Sequence, residues 1–281
     1  MTILCIESSI SVCSAAICKD GEPIKQCISY EGSNHARLLP RYIEELLSLA
    51  REQGLSIEAV ALSEGPGSYT GLRIGASTAK GLCYGLNIPL IPIPTLEVLC
   101  QAAKKNLSSA SPKDGLCSEV NPEAVLVPMI DARRMEVYTA IFDSELKVES
   151  RKSKEQRVRA VVVENEESVL FERSGLSSLS AAVYNLSAEG GLAAERSYFY
   201  FGDGAEKCAK IFTKPNWHFV SGIVPEAQFM GAIVESRKLI VESRRSKVES
   251  PKMISGAELA YYEPFYLKEF IAAPSHVKGL N

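Results

Sequence analysis

Histidine is scarce in this chain: 281 residues carry three, His35, His218 and His276, and no two stand at i, i+4. A helix that offers two imidazoles to one metal ion needs that spacing, so no such helix can be assembled here, and neither a Ser-His-Asp nor a Cys-His arrangement is legible. Long apolar runs are missing as well. Ile88-Pro89-Leu90-Ile91-Pro92-Ile93 is short and broken by prolines, and no basic segment precedes an apolar one at the N-terminus. Both observations argue against a membrane span and a signal peptide, and the cytoplasm is the expected compartment. Basic charge is not in excess. The 31 Lys and Arg stand against 34 Asp and Glu, a formal net charge of −3, so the surface as a whole is unsuited to binding nucleic acid, and only a local patch could do so. Eight cysteines are present without a Cys-x-x-Cys pair, and Cys5, Cys13, Cys18 and Cys27 lie in apolar strand-like runs; they read as buried free thiols.

What is present is the punctuation of an α/β protein long enough for two domains. Residues 2–7, 12–18 and 24–30 alternate or run apolar, with Asp20-Gly21 as a turn, and predict three meandering strands. A helix over about 35–53, a strand near 58–63, a helix over 70–85, a strand at 88–93 and a helix over 95–105 follow. Residues 124–130 and 136–142 restart the pattern, and the Ser-, Lys- and Pro-rich stretch 106–122 reads as a linker, giving domains 1–106 and 107–281. Units beginning Val148-Glu149-Ser150-Arg151, Val234-Glu235-Ser236-Arg237, Val241-Glu242-Ser243-Arg244 and Val248-Glu249-Ser250-Pro251 recur inside the second half. Only the valine repeats as an apolar position, so the stretches near 147–197 and 235–256 are expected to carry charged, solvated insertions, and those at about 147–165 and 235–252 are expected to be dispensable.

The run Glu64-Gly65-Pro66-Gly67-Ser68-Tyr69-Thr70-Gly71-Leu72-Arg73-Ile74-Gly75 joins the strand near 58–63 to the next helix. Glycines permit close backbone approach, Pro66 fixes a dihedral between them, and Ser68 or Thr70 can cap the helix. Free amides at a helix N-terminus suit an anion. A dinucleotide fingerprint would need glycine at Thr70, and a P-loop would need Gly-Lys-Ser/Thr, so neither generic motif fits.

These twelve residues, together with Ile3–Ser9, His35–Pro40, Asp131–Tyr138 and Tyr262–Lys268, resemble the signatures of the TsaB (YeaZ) family, the non-catalytic partner of the TsaD/Kae1 enzymes in bacterial tRNA threonylcarbamoyladenosine synthesis. The resemblance implies two actin-like (ASKHA, ribonuclease-H-like) domains with mixed sheets flanked by helices, the second degenerate. It implies a TsaD-type catalytic subunit and a TsaE-type ATPase as partners, a homodimer when the chain is alone, and contact with tRNA only through the complex. No cofactor is required by the chain itself; ATP or ADP at the subunit junction is a secondary expectation. The catalytic histidine pair of the TsaD/Kae1 enzymes is absent, since the i+4 neighbour of His35 is Leu39. No catalytic or metal residue is therefore expected, and the chain reads as a pseudo-enzyme subunit. Two rivals stand beside this reading: an autonomous glycoprotease-like hydrolase, and an actin-type ATPase whose only adenosine-binding glycine pair would be Gly202-Asp203-Gly204.

Two sets of residues carry these expectations. A nucleotide would meet Glu7, Ser8, Gly65, Gly67, Ser68 and Thr70, with Glu7 standing where the family usually has Asp and facing a cleft. Asp131 would face the same cleft, with Arg133 and Arg134 as ion-pair partners. A protein partner would meet the first two helices. Leu39, Ile43, Leu46 and Ala50 form one helical stripe for the core, and Leu38, Tyr42 and Leu49 form a second for a partner. Gly71, Gly75 and Ala79 at i, i+4, i+8 would let another helix come close. The expected interface is His35, Leu38, Leu39, Tyr42, Leu49, Gly71, Leu72, Gly75 and Ala79.

Overall fold

Ile, Val, Cys and Ala crowd the first thirty residues, and in the computed structural model they form the antiparallel strands β1 (Thr2–Glu7), β2 (Cys13–Lys19) and β3 (Glu22–Ser29). The structure describes residues 1–32, 34–109, 124–142, 159–164, 166, 169, 196–243 and 253–267. Asp20 and Gly21 both take positive φ, the geometry that a two-residue hairpin turn between right-twisted strands demands. Helix α1 (His35–Glu52) leads to β4 (Ala59–Gly65), helix α2 (Tyr69–Leu86) to β5 (Leu90–Pro94), and helix α3 (Thr95–Ser109) follows. β4 and β5 add in parallel, so the sheet order is β3-β2-β1-β4-β5.

Every residue of β1 is buried, because both faces of the sheet are covered. Leu4, Ile6, Ile17, Val60 and Leu62 meet α1 and α2 on one face. Ile3, Cys5, Ala16, Cys18 and Ile91 meet α3 and helix α4 (Met230–Ser243) on the other. The seven described cysteines are buried and unpaired.

The second half repeats this plan. Strands β6 (Val125–Asp131), β7 (Glu136–Thr139) and β8 (Arg159–Val162) are antiparallel, and β9 (Tyr198–Phe201) and β10 (Trp217–Val220) add in parallel beside β6. The order β10-β9-β6-β7-β8 is the first sheet's order with each strand replaced by its counterpart five later. Two mixed sheets flanked by helices make the fold actin-like. Between them, α3 packs Leu96, Leu99, Ala103 and Leu107 against Leu126, Ile130 and Phe201, where Ile10 and Val12 of the β1–β2 turn join the same cluster.

Four expectations need correction. The linker expected from 106 begins inside α3, where Leu107 is buried; residues 110–122 lie outside those described. The stretch near 235–256 is not all solvated insertion. Ile233 and Val234 sit in the core, Arg237 pairs with Glu97 of α3, and Ile254 bridges to Leu90 ahead of helix α5 (Ala257–Tyr261). The helix that starts at Met230 runs on through the charged repeat, so these parts cannot be deleted without cost. Likewise the stretch near 147–197 contains β8, paired to β7, and buried Val163. The units at 148–154 and 244–251 lie outside the described residues. Although sequence assigned them to the second domain, α4 and the segment 253–267 return to the first sheet. No described helix is long and apolar enough to cross a membrane.

Candidate functional site

The loop between β4 and α2 lies against the turn that follows β1. Ser68 caps α2, its Oγ accepting from the Gly71 amide at 3.4 Å, and the Ser68 amide donates to the Ser9 carbonyl at 2.6 Å. The Ser8 hydroxyl donates to the Gly71 carbonyl at 2.9 Å. The glycines are explained by this packing. A methyl at Gly67 would overlap the Ser9 carbonyl oxygen, one at Gly71 the Ser8 carbonyl oxygen, and one at Gly75 the Ser8 hydroxyl. Gly65, at φ +116°, lies beneath the Phe265 carbonyl, while the Phe265 amide donates to the Glu64 carbonyl at 2.7 Å. The Cβ side of Gly65, Gly67 and Gly71 is therefore taken by the chain's own backbone, which is a structural reason for glycine at each position.

Glu7 does not face a cleft. It is wholly buried; Oε1 accepts from the Ser9 amide at 2.7 Å and the Ser9 hydroxyl at 2.5 Å, and Oε2 has no hydrogen-bond partner. Burial pushes its pKa up, and the hydrogen bonds from Ser9, with Ser63 and Ser8 nearby, draw it partly back. Of the expected nucleotide residues, Glu7, Ser8, Gly65 and Gly67 are structural, Ser68 is a cap, and Thr70 alone points outward without a structural task in view. In the second sheet, Asp131 accepts from the Arg133 amide at 3.0 Å, but its ion pair is with Lys207, correcting the expectation of Arg133 or Arg134. The Lys207 ammonium also donates to the Arg134 carbonyl at 2.9 Å and the Glu136 carbonyl at 2.6 Å, so one side chain ties down the β6–β7 turn. Gly202 and Gly204 are again pressed on backbone, at Met129 and at Ile130–Asp131, so both glycines have a packing reason. Among the described residues no group of three His, Cys, Asp or Glu side chains could hold a metal ion.

The helix faces divide differently from the sequence expectation. In α1 the core stripe Leu39, Ile43, Leu46 and Ala50 is buried, and His35 is buried with Nε2 3.3 Å from the Val12 carbonyl. His35 and Leu39 therefore leave the candidate interface. Leu38, Tyr42 and Leu49 stay half-exposed beside them. In α2 the buried residues are Gly71, Leu72, Gly75, Ala76, Ala79 and Cys83. The small-residue stripe Gly71-Gly75-Ala79 thus receives β1 and β4, not a foreign helix, because the apolar Leu72, Ala76 and Cys83 share its side of the wheel. What faces outward is Ser77, Gly81 and Gly85 at the same i, i+4, i+8 spacing, with Tyr84 86% exposed between them. No atom lies within 4 Å of a methyl built on Gly81 or Gly85. Phasing the helix on its apolar residues would have found this face. At the helix start Arg73 donates to the Tyr69 hydroxyl at 2.5 Å, and the Tyr69 ring lies 5.1 Å from that of Tyr266.

Comparison with known proteins bears on this arrangement. Residues 30–219 match the family model TsaD: tRNA N6-adenosine threonylcarbamoyltransferase. The protein called tRNA threonylcarbamoyladenosine biosynthesis protein TsaB from Haemophilus influenzae is 33% identical over 138 residues, 49% of this chain and 52% of that one. Its namesake from Bacillus subtilis is 33% identical over 143 residues, 50% and 55% of the two chains. The chain therefore spans about half the length of the curated relatives it matches. A crystal structure from Pseudomonas aeruginosa, described as an uncharacterized protein with similarity to peptidase YEAZ, superposes with a TM-score of 0.61 at 20% identity, covering 95% of this chain and 99% of that one; it shares the fold.

Proposed function

The chain belongs to the tRNA N6-adenosine threonylcarbamoyltransferase (TsaD) family, among its TsaB (YeaZ) members, and from that premise we propose that it is the scaffold and activating subunit of a bacterial tRNA threonylcarbamoyladenosine synthesis complex. It contributes binding surface and no catalytic group. A TsaD-type catalytic subunit docks on the outward faces of α1 and α2, through Leu38, Tyr42 and Leu49 on one and Ser77, Gly81, Tyr84 and Gly85 on the other. A TsaE-type ATPase completes the cytoplasmic assembly, and tRNA is met through the complex. In isolation, a second copy of the chain covers the same face.

The observation that carries this reading is the contrast between the two ends of α2. At its start the glycines of the loop are packed on the chain's own backbone, while toward its end the helix exposes an aromatic ring between positions with no side chain. Small residues flanking a large exposed apolar one allow close helix approach with an anchor, a pattern that suits protein contact better than solvent. A nucleotide site on this chain is not part of the proposal. Reconstitution tests it: with labelled threonylcarbamoyl-adenylate supplied as donor, the threonylcarbamoyl group should pass to tRNA, releasing AMP, only when the chain, a TsaD-type subunit and a TsaE-type ATPase are combined. Transfer or hydrolysis by the chain alone, lost on adding a chelator, would contradict it.

A further inference from the structure

Glu7 ends β1 with its carboxyl wholly inside the protein, and donors reach one of its oxygens only. Oε1 accepts both bonds from Ser9, while Oε2 is buried with none. The groups that face it are neutral. The β1–β2 turn offers Ser8 and Ser9, and β4 offers the Ser63 hydroxyl, which shares a hydrogen bond of 2.7 Å with Thr95 at the head of α3. From β2 comes Cys13, whose thiol is pushed up to about 11 by burial and then by the charge of Glu7. Glu7 forms no ion pair among the described residues. Burying an unpaired carboxylate costs far more than burying the neutral acid, so a proton is the counter-ion that this site can take without moving.

The start of α2 rests on this carboxyl. Glu7 Oε1 holds Ser9 by its amide and its hydroxyl, the Ser9 carbonyl accepts from the Ser68 amide at 2.6 Å, and the Ser8 hydroxyl donates to the Gly71 carbonyl at 2.9 Å. Gly67, Gly71 and Gly75 lie so close to Ser8 or Ser9 that none has room for a methyl. A change at the carboxyl is therefore passed through two residues of turn to the helix that carries the exposed Tyr84 face.

We propose that Glu7 is a proton-operated latch: with its proton it keeps the Ser8–Ser9 turn closed under α2, and without it the turn lifts, water reaches the carboxylate and the head of α2 is freed. The proton leaves Oε2 for water as the turn opens and returns as it closes. The direction with pH is fixed by linkage. A closed, buried carboxyl keeps its proton to higher pH than an open, hydrated one, whose ordinary value is about 4.3. The opened fraction therefore rises with pH, by up to about tenfold per unit between that value and the raised one of the closed form, and is level above it. The latch belongs to the free chain; only its consequence for a partner on α2 rests on the scaffold reading above.

Amide hydrogen exchange on the full chain, corrected for the intrinsic rate at each pH, reads the opening at the Ser68 amide. Its protection is expected to fall about tenfold between about pH 4.5 and 7.5, and to stay level in Glu7→Gln, which keeps the shape and cannot ionise. Urea separates the latch from unfolding. Added to about 1 M, it should scarcely change the protection of Ser68, which a small local motion exposes, while the β1 amides, exposed only when the sheet unfolds, lose theirs. The labelled ¹³Cδ of Glu7, assigned through its own amide and so needing no variant, should titrate at least about one unit above the ordinary carboxylate value. Titration at the ordinary value, level Ser68 protection in the parent chain, an equal fall in Glu7→Gln, or a urea dependence at Ser68 as steep as that of β1 would each overturn the proposal.

Discussion

Gly71 is buried and Gly81 exposed on the same helix, so replacing each with alanine separates what α2 buries from what it exposes. The gain common to both is the helix preference of alanine over glycine, about 1 kcal/mol. At Gly71 the new methyl overlaps the Ser8 carbonyl oxygen and comes within 3.5 Å of Ser68 Cβ, with backbone as the main obstacle and no flexible side-chain end to move aside. Overpacking costs about 1–3 kcal/mol, and displacing the Ser8 turn also breaks the hydroxyl bond to the Gly71 carbonyl, about 1 kcal/mol more. The net loss is about 1–3 kcal/mol. For a chain of this size each kcal/mol moves Tm by about 2–4 °C, so Gly71→Ala should melt about 2–12 °C lower. At Gly81 nothing lies within 4 Å of the new methyl, and Gly81→Ala should melt about 2–4 °C higher. Differential scanning calorimetry of the isolated proteins decides. Gly71→Ala as stable as the parent, or Gly81→Ala as damaged as Gly71→Ala, would refute the assigned phase of α2 and the interface drawn from it.

Other outcomes follow from the same contacts. Leu38→Glu or Tyr42→Glu should leave the melting temperature of the free chain nearly unchanged and weaken association with the catalytic subunit more than about a hundredfold, near 3 kcal/mol, in a titration. Ile43→Glu, on the buried stripe, should lose more than about 3 kcal/mol of stability in denaturant unfolding. Glu7→Gln tests the buried carboxyl. Because the folded pKa is raised, the stability tied to its protonated form is whole below the ordinary carboxylate range of about 4.3 and is lost as pH climbs through the folded value. The Tm advantage of Glu7→Gln should therefore be absent at low pH and grow toward neutrality; an advantage constant with pH would mean that Glu7 keeps an ordinary pKa. Lys207→Met removes three donated hydrogen bonds from the β6–β7 turn, and hydrogen exchange of the amides at 132–136 should rise while those of β1 stay protected.

Element type and order were legible in the sequence where one signal dominates. The apolar runs of β1 and β2, the Asp20-Gly21 turn between β2 and β3, and the core stripe of α1 could be read because residue type, period and turn chemistry agree. The phase of α2 was not, since a stripe of glycines fits close approach by a foreign helix and by the chain's own β1 turn equally well. Only the neighbouring Leu72, Ala76 and Cys83 break the tie. The glycines of the β4–α2 loop misled for the same reason. Room for a ligand and room for Ser9 or Phe265 require the same missing methyl, and which one fills it depends on residues 58 or more positions away, as 67 − 9 = 58. Charge hid the helical continuation at Val234–Arg237, where one buried valine and one ion pair to Glu97 hold a repeat whose composition looks solvated.

The central claim is that this chain works through a protein surface on α1 and α2. Light scattering coupled to size exclusion, on the chain mixed with a TsaD-type catalytic subunit, tests it most directly. The account predicts a complex with the summed mass of both subunits, formed by the parent chain and lost with Tyr84→Glu, a variant whose own melting temperature is unchanged. Two separate peaks for the parent mixture, or a complex that Tyr84→Glu forms equally well, would contradict it.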